Sequence, residues 1–267
     1  MAVSFPYVTF QILASYADVI AAVSTRDGGV SAQPHTSANM SFSVGDDPAC
    51  VRENRRRYLT ALGIAPETIV STNQVHGTRI VTVGKADRGL GALTPDTAIG
   101  ECDGLLTAEL GVPLTMNFAD CTPIFLFDPR QKVAALLHGG WRGTAGNIVG
   151  VAVQAMREQF GTNPKDILAA IGPAIGPCCF EVGEDVICEF AKLFSSSALA
   201  DMVRDRENKH FLFNLPEANR RLLLRAGLAE DHIENCGLCT YCHDDTFFSY
   251  RKSKGKTGRH MGVICLK

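Results

Sequence analysis

The sequence predicts a single domain of the α+β class. Short apolar runs bounded by turn residues indicate buried strands, and amphipathic stretches with capping residues indicate helices among them. With 46% hydrophobic residues, the 267-residue chain can bury a large core without external staples. No internal repeat, low-complexity segment or linker interrupts the sequence, so we expect one domain over residues 1–267.

The predicted strands are apolar runs that end at turn residues on both sides. In chain order they lie at 7–23, which holds two, and at 69–74, 79–83, 112–118, 124–127, 133–137, 167–171, 247–250 and 262–266. Asp128-Pro129 marks the reversal between the runs at 124–127 and 133–137, because proline presets φ. Cys121 and His138 are therefore expected at the ends of neighbouring strands, where their side chains can converge.

The predicted helices carry recognisable first and last residues. They lie at 49–62, 144–160 and 183–194, and in a segment that begins after Asn214. Asp47-Pro48 opens the first helix, Asn214 is an N-cap for the last, and Gly227 is expected to end it. The helix at 144–160 follows a glycine loop after His138, so its free N–H groups would suit an anion beside that histidine.

Composition argues against several classes of protein. The net charge of −2, with acids and bases mixed along the chain, disfavours a nucleic-acid-binding protein. No apolar run is long enough to span a membrane. The first residues lack the features of a secretory signal, so we expect a cytoplasmic protein whose ten cysteines are reduced thiols.

His76, Cys121 and His138 are the strongest candidates for a catalytic centre. Zinc accepts imidazole and thiolate ligands together, and three protein ligands with an open fourth position are typical of catalytic zinc. Their spacing matches no local metal signature. The same residues could form a Cys–His nucleophile pair, with Asp120 orienting a partner, or could simply be buried side chains.

The other cysteine patterns are weaker. Cys239 to His243 satisfies C-x-x-C-H, the pattern of covalent haem attachment, and Cys236 would complete a compact four-ligand zinc site. We expect neither, because no export signal precedes the haem pattern and zinc ligands usually come as pairs from separated elements. Cys178-Cys179 is a vicinal pair, and adjacent cysteines rarely bridge each other without strain.

Eight motifs, taken together, resemble the YfiH/YlmD-type family, which has been called multicopper polyphenol oxidase (laccase-like) and later purine nucleoside phosphorylase. They are STRDGGVS at 24–31, GDDP at 45–48, NRRRYL at 54–59, NQVHG at 73–77, ADCTP at 119–123, HGGWRGT at 138–144, IGPAIGPCCFEVG at 171–183 and FFSYRKSKGKTGR at 247–259. The motifs cover nearly the whole chain in the right order. Departures are small: Gly139 and Met40 stand where the family usually has alanine and leucine.

The resemblance implies that His76, Cys121 and His138 bind one zinc ion per chain, with copper as a possible substitute. It also implies phosphorolysis of adenosine, inosine, guanosine and methylthioadenosine, with adenosine deamination as a further activity. Purine nucleosides and phosphate would then be the partners. The residues expected to bind substrate or phosphate are Arg55, Asn39, Gln74, Asp120, Arg142 and Arg251, the arginines because a guanidinium can bind phosphate in a bidentate manner. The implied fold is similar to the catalytic domain of cytotoxic necrotizing factor, with mixed β-sheets packed together and helices outside.

Three other functions remain open from the sequence. A hydrolase or amidase with Cys121 as nucleophile could act on cell-wall precursors, a role also attached to the family. A copper-dependent polyphenol oxidase would need histidine clusters, whereas the seven histidines are scattered without an H-x-H pair, so only a single copper at the zinc site could support it. A non-catalytic protein that senses nucleosides is the third.

Overall fold

Two mixed β-sheets packed face to face form the centre of the fold in the computed structural model, which describes residues 5–206 and 208–267. Residues 1–4 and 207 of the predicted domain lie outside this part of the chain. The predicted α+β class with mixed sheets and flanking helices is confirmed. No helix within the described ranges is long and apolar enough to cross a membrane.

The strands are β1 (Tyr7–Thr9), β2 (Val19–Ser24), β3 (Val70–Ser71), β4 (Ile80–Thr82), β5 (Gly104–Thr107), β6 (Leu114–Phe118), β7 (Thr122–Asp128), β8 (Val133–Gly139), β9 (Leu168–Ile171), β10 (Glu181–Gly183), β11 (Val203–Asp205), β12 (His210–Phe213), β13 (Ile233–Asn235) and β14 (His260–Leu266). The helices are α1 (Gln11–Ala14), α2 (Pro48–Ala61), α3 (Trp141–Ala145), α4 (Ile148–Phe160), α5 (Glu184–Ala191), α6 (Ser196–Ala200) and α7 (Leu215–Arg225).

The strands form two large sheets and one small one. The first sheet has the order β1-β2-β14-β6-β3 and the second the order β13-β9-β7-β8-β5-β4, while β10, β12 and β11 form the third. Three pairs are parallel, β3 with β6, β4 with β5 and β9 with β13, and the other pairs are antiparallel. The strand β14 lies between β2 and β6, so it joins the N-terminal and central parts of the first sheet.

Alternation along the central strands builds two hydrophobic layers at once. In β7, Phe125 and Phe127 pack between the two large sheets, while Ile124 and Leu126 pack against α4 and α7 on the opposite face. Successive side chains of a strand point to opposite faces, so an uninterrupted apolar run is needed where both faces are covered. On the far side of the first sheet, Tyr58 of α2 packs against Met261 and Val263 of β14 in the same way.

Several sequence-based boundaries needed correction. The segment 7–23 contains the short helix α1 between its two strands, and 69–74 forms only the two-residue β3. The predicted helix at 144–160 is divided into α3 and α4, because Asn147 adopts a left-handed conformation (φ 60°) and caps a new helix by accepting from the Gly150 N–H. The predicted strand at 247–250 is wrong; this segment, whose Phe247 and Phe248 are buried, forms no strand.

The predicted helix caps are present at both sites. Asp47 accepts a hydrogen bond from the Ala49 N–H at the start of α2, and Asn214 accepts one from the Glu217 N–H at the start of α7. Gly227, with φ 103°, lies just beyond the end of α7. This conformation is accessible to glycine at little cost, which explains why the helix stops there.

Candidate metal and substrate site

Three chain segments bring one cysteine and two histidines together. His138 lies near the end of β8, and Cys121 immediately precedes β7, whose Thr122 pairs with Gly139. These two strands are neighbours, as the sequence predicted. His76 comes from the loop between β3 and β4, and the ligand atoms of the three residues lie within 4.8 Å of one another.

A fully buried carboxylate, Asp103, fixes both histidines. Its Oδ1 lies 2.7 Å from His138 Nδ1 and 2.9 Å from the His76 backbone N. Its Oδ2 accepts the N–H groups of Val75 at 3.1 Å and Gly77 at 2.8 Å. Because a carboxylate only accepts, His138 Nδ1 carries the proton, and Nε2 is left free to act as a ligand or base.

The charges of Cys121 and His138 stabilise each other. Burial alone would raise the pKa of Cys121, but the positive charge and hydrogen bonds of His138 and His76 lower it below its ordinary value. Burial alone would lower the pKa of His138, but the Cys121 thiolate and Asp103 raise it. Each group therefore favours the charged form of the other, and the lowered pKa of Cys121 favours the thiolate, the form that binds a metal ion.

The donor set fits a zinc ion. Thiolate and imidazole are the ligands zinc prefers, and the bond from His138 to Asp103 is the carboxylate–histidine arrangement typical of zinc sites. His76 is exposed and lies beside open space, so a further position would remain accessible from the cleft. Among the described residues, no other histidine joins this group, which therefore offers three ligands.

The three residues line a cleft of about 520 Å³, a size typical of small-molecule sites. The cleft combines cationic and aromatic side chains: Arg55, Arg142, Arg251, Arg259, Phe42, Phe180 and Tyr250. Such a lining suits a planar, anionic or phosphate-containing ligand.

Arg55 is the most unusual of these arginines, because it is buried without an acidic partner in the described structure. It donates to the carbonyls of Met40 at 2.8 Å, Gly91 at 2.7 Å and Ala92 at 3.0 Å, and it stacks over Phe42. Burial lowers its pKa to about 9. A buried cation held only by carbonyls is stabilised by any anion that enters the cleft.

The other arginines are held less tightly. Arg251 donates to the Glu181 carbonyl at 2.7 Å, and Arg259 donates to the Thr257 and Gly258 carbonyls, each at 3.0 Å. Arg142 is exposed, lies over the Trp141 ring and has no hydrogen bond from its side chain to the rest of the described chain.

The amide and carboxylate candidates hold the walls of the cleft. Gln74 lines the cleft, but its amide is engaged by the backbone N–H and carbonyl of Asn117, both at 2.9 Å. Asp120 accepts from Thr240 Oγ1 and from the Arg251 N–H, both at 2.6 Å, and so joins three segments beside Cys121.

Asn39 is not among the residues that line the cleft. It is fully buried, and its Oδ1 accepts the N–H groups of Ser41 at 3.1 Å and Arg259 at 2.9 Å. Its contacts place the Arg259 backbone, so its role in this structure is positional.

Several residues of the site were not predicted from the sequence: Asp103, Arg259 and the aromatic residues Phe42, Phe180 and Tyr250. Asp103 stands in an Asp-Gly pair before an apolar run, and nothing local shows that the chain buries its carboxylate. Arg259 lies in a basic, glycine-containing segment, and such segments are usually solvated surface. Its motif, TGR at 257–259, was the available signal.

Comparison with known proteins agrees with this architecture. A family model described as "Multi-copper polyphenol oxidoreductase laccase" matches residues 20–267. A protein named purine nucleoside phosphorylase YlmD, from Geobacillus stearothermophilus, is 41% identical over 249 residues, which cover 93% of this chain and 90% of that protein. A protein named adenosine deaminase RL5, from an unknown prokaryotic organism, is 33% identical over 93% of this chain and 94% of its own length.

Solved structures show the same fold. The Bacillus licheniformis hypothetical protein YfiH is 37% identical, with a TM-score of 0.91 over 93% of each chain. YlmD from Geobacillus stearothermophilus is 40% identical, with a TM-score of 0.90 over 94% of this chain and 93% of that chain. The motifs, the fold and the cleft agree with these comparisons, and the chain belongs to the YfiH/YlmD-type, laccase-like family, whose members include proteins named purine nucleoside phosphorylase.

Proposed function

We propose that this protein is a zinc-dependent purine nucleoside phosphorylase with adenosine deaminase activity. Adenosine, inosine, guanosine and methylthioadenosine are the proposed nucleosides. The observation that carries the proposal is that one cleft contains both the His76–Cys121–His138 group and Arg55. Arg55 is a buried cation that has no acidic partner among the described residues. The names of the relatives support the same chemistry.

His76, Cys121 and His138 would hold the zinc ion. Zinc in such a site supplies Lewis acidity, the chemistry that zinc deaminases use to activate water against a purine. Asp103 fixes the ring of His138 and the backbone on both sides of His76, so the ligands are placed before any cation arrives. Such preorganisation favours binding because less side-chain conformational freedom is lost when the ion binds.

Phosphorolysis requires a phosphate oxygen to attack the ribose C1′ while the purine leaves with the electrons of the C–N bond. Arg55 would attract the phosphate, because its partners in the described structure are carbonyls and a ring, which leave its charge uncompensated. Arg142 lines the same cleft, and its exposed guanidinium makes no hydrogen bond within the described chain, so its donors are available to a ligand. Phe42, Phe180 and Tyr250 provide apolar area for the planar base.

The test is to incubate purified protein with adenosine, with and without phosphate, and to separate products by chromatography while bound metal is measured. The proposal predicts adenine release that depends on phosphate, inosine formation that does not, and zinc that is lost in Cys121→Ser. Base release that is equally fast without phosphate would contradict a phosphorylase. Absence of both products from zinc-loaded protein would contradict the proposal as a whole.

A thiol hydrolase or amidase is the second candidate, because Cys121, His138 and Asp103 have the order of a nucleophile, a base and an orienting acid. This alternative predicts rapid alkylation of Cys121 by iodoacetamide at neutral pH and a covalent acyl-enzyme with a suitable ester. It also predicts that metal removal preserves activity. The zinc proposal predicts the opposite, protection of Cys121 by the metal and loss of activity when the metal is removed.

The oxidase and sensor functions receive less support. Outside His76 and His138, the described residues contain no histidine grouped with other metal donors, so a trinuclear copper cluster has no ligands here. A nucleoside sensor would bind nucleosides with no base release, even with excess phosphate, and the product assay distinguishes it directly.

A further inference from the structure

A group of four cysteines outside the proposed active site has the geometry of a second metal centre. Its members, called the thiol cluster here, are Cys178, Cys179, Cys239 and Cys242. Their sulfur atoms lie within 4.8 Å of one another, and Cys242 Sγ is 3.5 Å from the sulfurs of both Cys178 and Cys179. None of the four forms a disulfide.

The thiol cluster groups the cysteines differently from the four-ligand zinc site considered from the sequence, which combined Cys236, Cys239, Cys242 and His243. Two vicinal cysteines after β9 meet two cysteines of a C-x-x-C pair, so the ligand pairs come from separated segments. Neither Cys236 nor His243 takes part in the group. Structural zinc sites usually take two ligand pairs from separated segments, as here; Cys239 and Cys242 have the usual C-x-x-C spacing, whereas Cys178 and Cys179 are adjacent.

The distances agree with a shared cation. Zinc–sulfur bonds of about 2.3 Å at tetrahedral angles place the sulfurs about 3.8 Å apart. The observed separations, 3.5 Å for two pairs and at most 4.8 Å for all, lie on either side of this value. A disulfide needs about 2.05 Å, and Cys242 has two equidistant partners, so no single disulfide accounts for the arrangement.

The surrounding backbone suits bound thiolates. The Gly176 N–H donates to Cys239 Sγ at 3.2 Å, as N–H groups do toward thiolates. A Cβ at Gly176 would lie 3.2 Å from Cys239 Cβ and 3.4 Å from Cys178 Sγ, so the backbone packs directly on the cluster. Cys178 and Cys242 are exposed, which gives a metal ion a route from solvent.

The cluster also lies at the junction of two loops that shape the cleft. The Thr240 N–H donates to the Ala174 carbonyl at 3.0 Å, and Thr240 Oγ1 donates to Asp120 beside Cys121. The first loop leads into Phe180 and the second into Arg251, which both line the cleft. A metal ion here would fix the two loops to each other.

We propose that the thiol cluster binds a zinc ion as a tetrathiolate structural site that joins the loops around Gly176 and Thr240. Each thiol that coordinates the ion releases its proton to solvent, and no electron transfer is involved. The site is independent of the one at His76, Cys121 and His138, and it does not require the protein to be a phosphorylase.

The experiment compares the zinc content of reduced, anaerobically purified wild-type protein with that of a Cys178→Ser/Cys242→Ser variant. We expect the double variant to lose about one zinc ion per chain. Cys188→Ser, which removes an exposed cysteine outside the cluster, and His243→Ala, which removes the histidine of the C-x-x-C-H pattern, should retain it. Cys121→Ser should lose only the zinc of the other site, so the two proposals succeed or fail separately.

Cobalt substitution gives a second measurement that does not depend on the double variant being folded. Cobalt(II) added to reduced, metal-free wild-type protein should give the intense charge-transfer and red-shifted d–d bands of a tetrathiolate site, and these should persist in Cys121→Ser. Equal zinc in wild type and in a folded double variant, absence of the tetrathiolate spectrum, or a disulfide within the cluster in anaerobically purified protein would each overturn the proposal.

Discussion

Asp103 Oδ1 lies 2.7 Å from His138 Nδ1, and the same carboxylate accepts three consecutive backbone N–H groups from 75–77. One buried acid therefore orients the ring of His138 and holds the backbone of His76 in the candidate metal site. Despite its burial, these hydrogen bonds and the nearby His138 lower the pKa of Asp103, so it stays ionised.

Asp103→Asn should lower zinc affinity at this site about 10- to 100-fold, because the amide cannot hold the His138 proton and the three N–H groups equally well. Competition with a chelator in the Cys178→Ser/Cys242→Ser background measures this site alone. Asp128→Asn is the matched control, since Asp128 is also fully buried but caps the turn after β7. The control should lose stability while keeping zinc affinity; equal losses in both variants would contradict a specific role for Asp103.

Gly140→Ala should weaken zinc binding about tenfold without unfolding the protein, because ligand positions tolerate shifts of only about 0.2 Å. Its backbone suits alanine, with φ −70° and ψ 162°, but the new Cβ would lie 3.0 Å from His76 Cδ2 and 3.3 Å from Cys121 Sγ. Gly100→Ala is the control, because no atom lies within 4 Å of the position its methyl group would take. Unchanged zinc affinity in Gly140→Ala would mean that the ligands are not where the structure places them.

Arg55→Met should raise the KM for phosphate at least about tenfold while changing the affinity for nucleoside less, because a charge-assisted hydrogen bond contributes about 1.5–3 kcal/mol. Arg56→Met is the control on the same helix; Arg56 is exposed and paired with Glu53 at 2.7 Å. Initial rates at varied phosphate give both constants. An Arg55→Met enzyme with an unchanged KM for phosphate would assign phosphate binding to another arginine of the cleft.

His260 predicts how stability depends on pH. It is fully buried, stacks on Phe118 with ring centroids 6.2 Å apart, and neither ring nitrogen has a partner in the described structure. Burial, together with the charge of Arg259, lowers its pKa from 6.5 to about 3. The unfolded chain therefore binds a proton that the folded chain does not, so stability is full above pH 6.5 and falls as the pH drops toward 3.

His260→Leu should remove this contribution. Between pH 8 and pH 5, the free energy of unfolding should fall by about 2 kcal/mol less in His260→Leu than in wild type. Urea denaturation across this range measures the difference, and His243→Leu, at an exposed position, serves as the control. Parallel pH profiles for His260→Leu and wild type would contradict a buried, neutral His260.

The sequence revealed those parts of the site that depend on local pattern. The apolar runs and the Asp-Pro turn predicted that Cys121 and His138 lie on neighbouring strands, because hairpin register follows from turn and run length. The N-caps of α2 and α7 were also predicted correctly, because a capping residue and the N–H group that it accepts from are close in sequence. His76 was a candidate from the residues alone, beside Cys121 and His138, and the motif resemblance then supported it as a zinc ligand.

The parts that were missed depend on contacts between distant segments. The burial of Asp103 results from packing of β5 and β8, and the thiol cluster joins cysteines about sixty positions apart that no spacing rule connects. Phe247 and Phe248 form an apolar run typical of a strand, yet they fill the core from an irregular segment. Hydrophobicity predicts that such residues are buried, but it does not determine backbone conformation when the segment is short.

The central place of β14 has a consequence for synthesis on the ribosome. Residues 260–264 pair with β6 and 262–266 with β2, so the first sheet stays incomplete until this late-made segment has emerged. Until β14 is synthesised, the edges of β2 and β6 that it will pair with remain uncovered. Chaperones commonly protect chains in such a state. Because β6 leads directly to Cys121, the nascent chain should acquire its ability to bind metal there only after that strand is inserted.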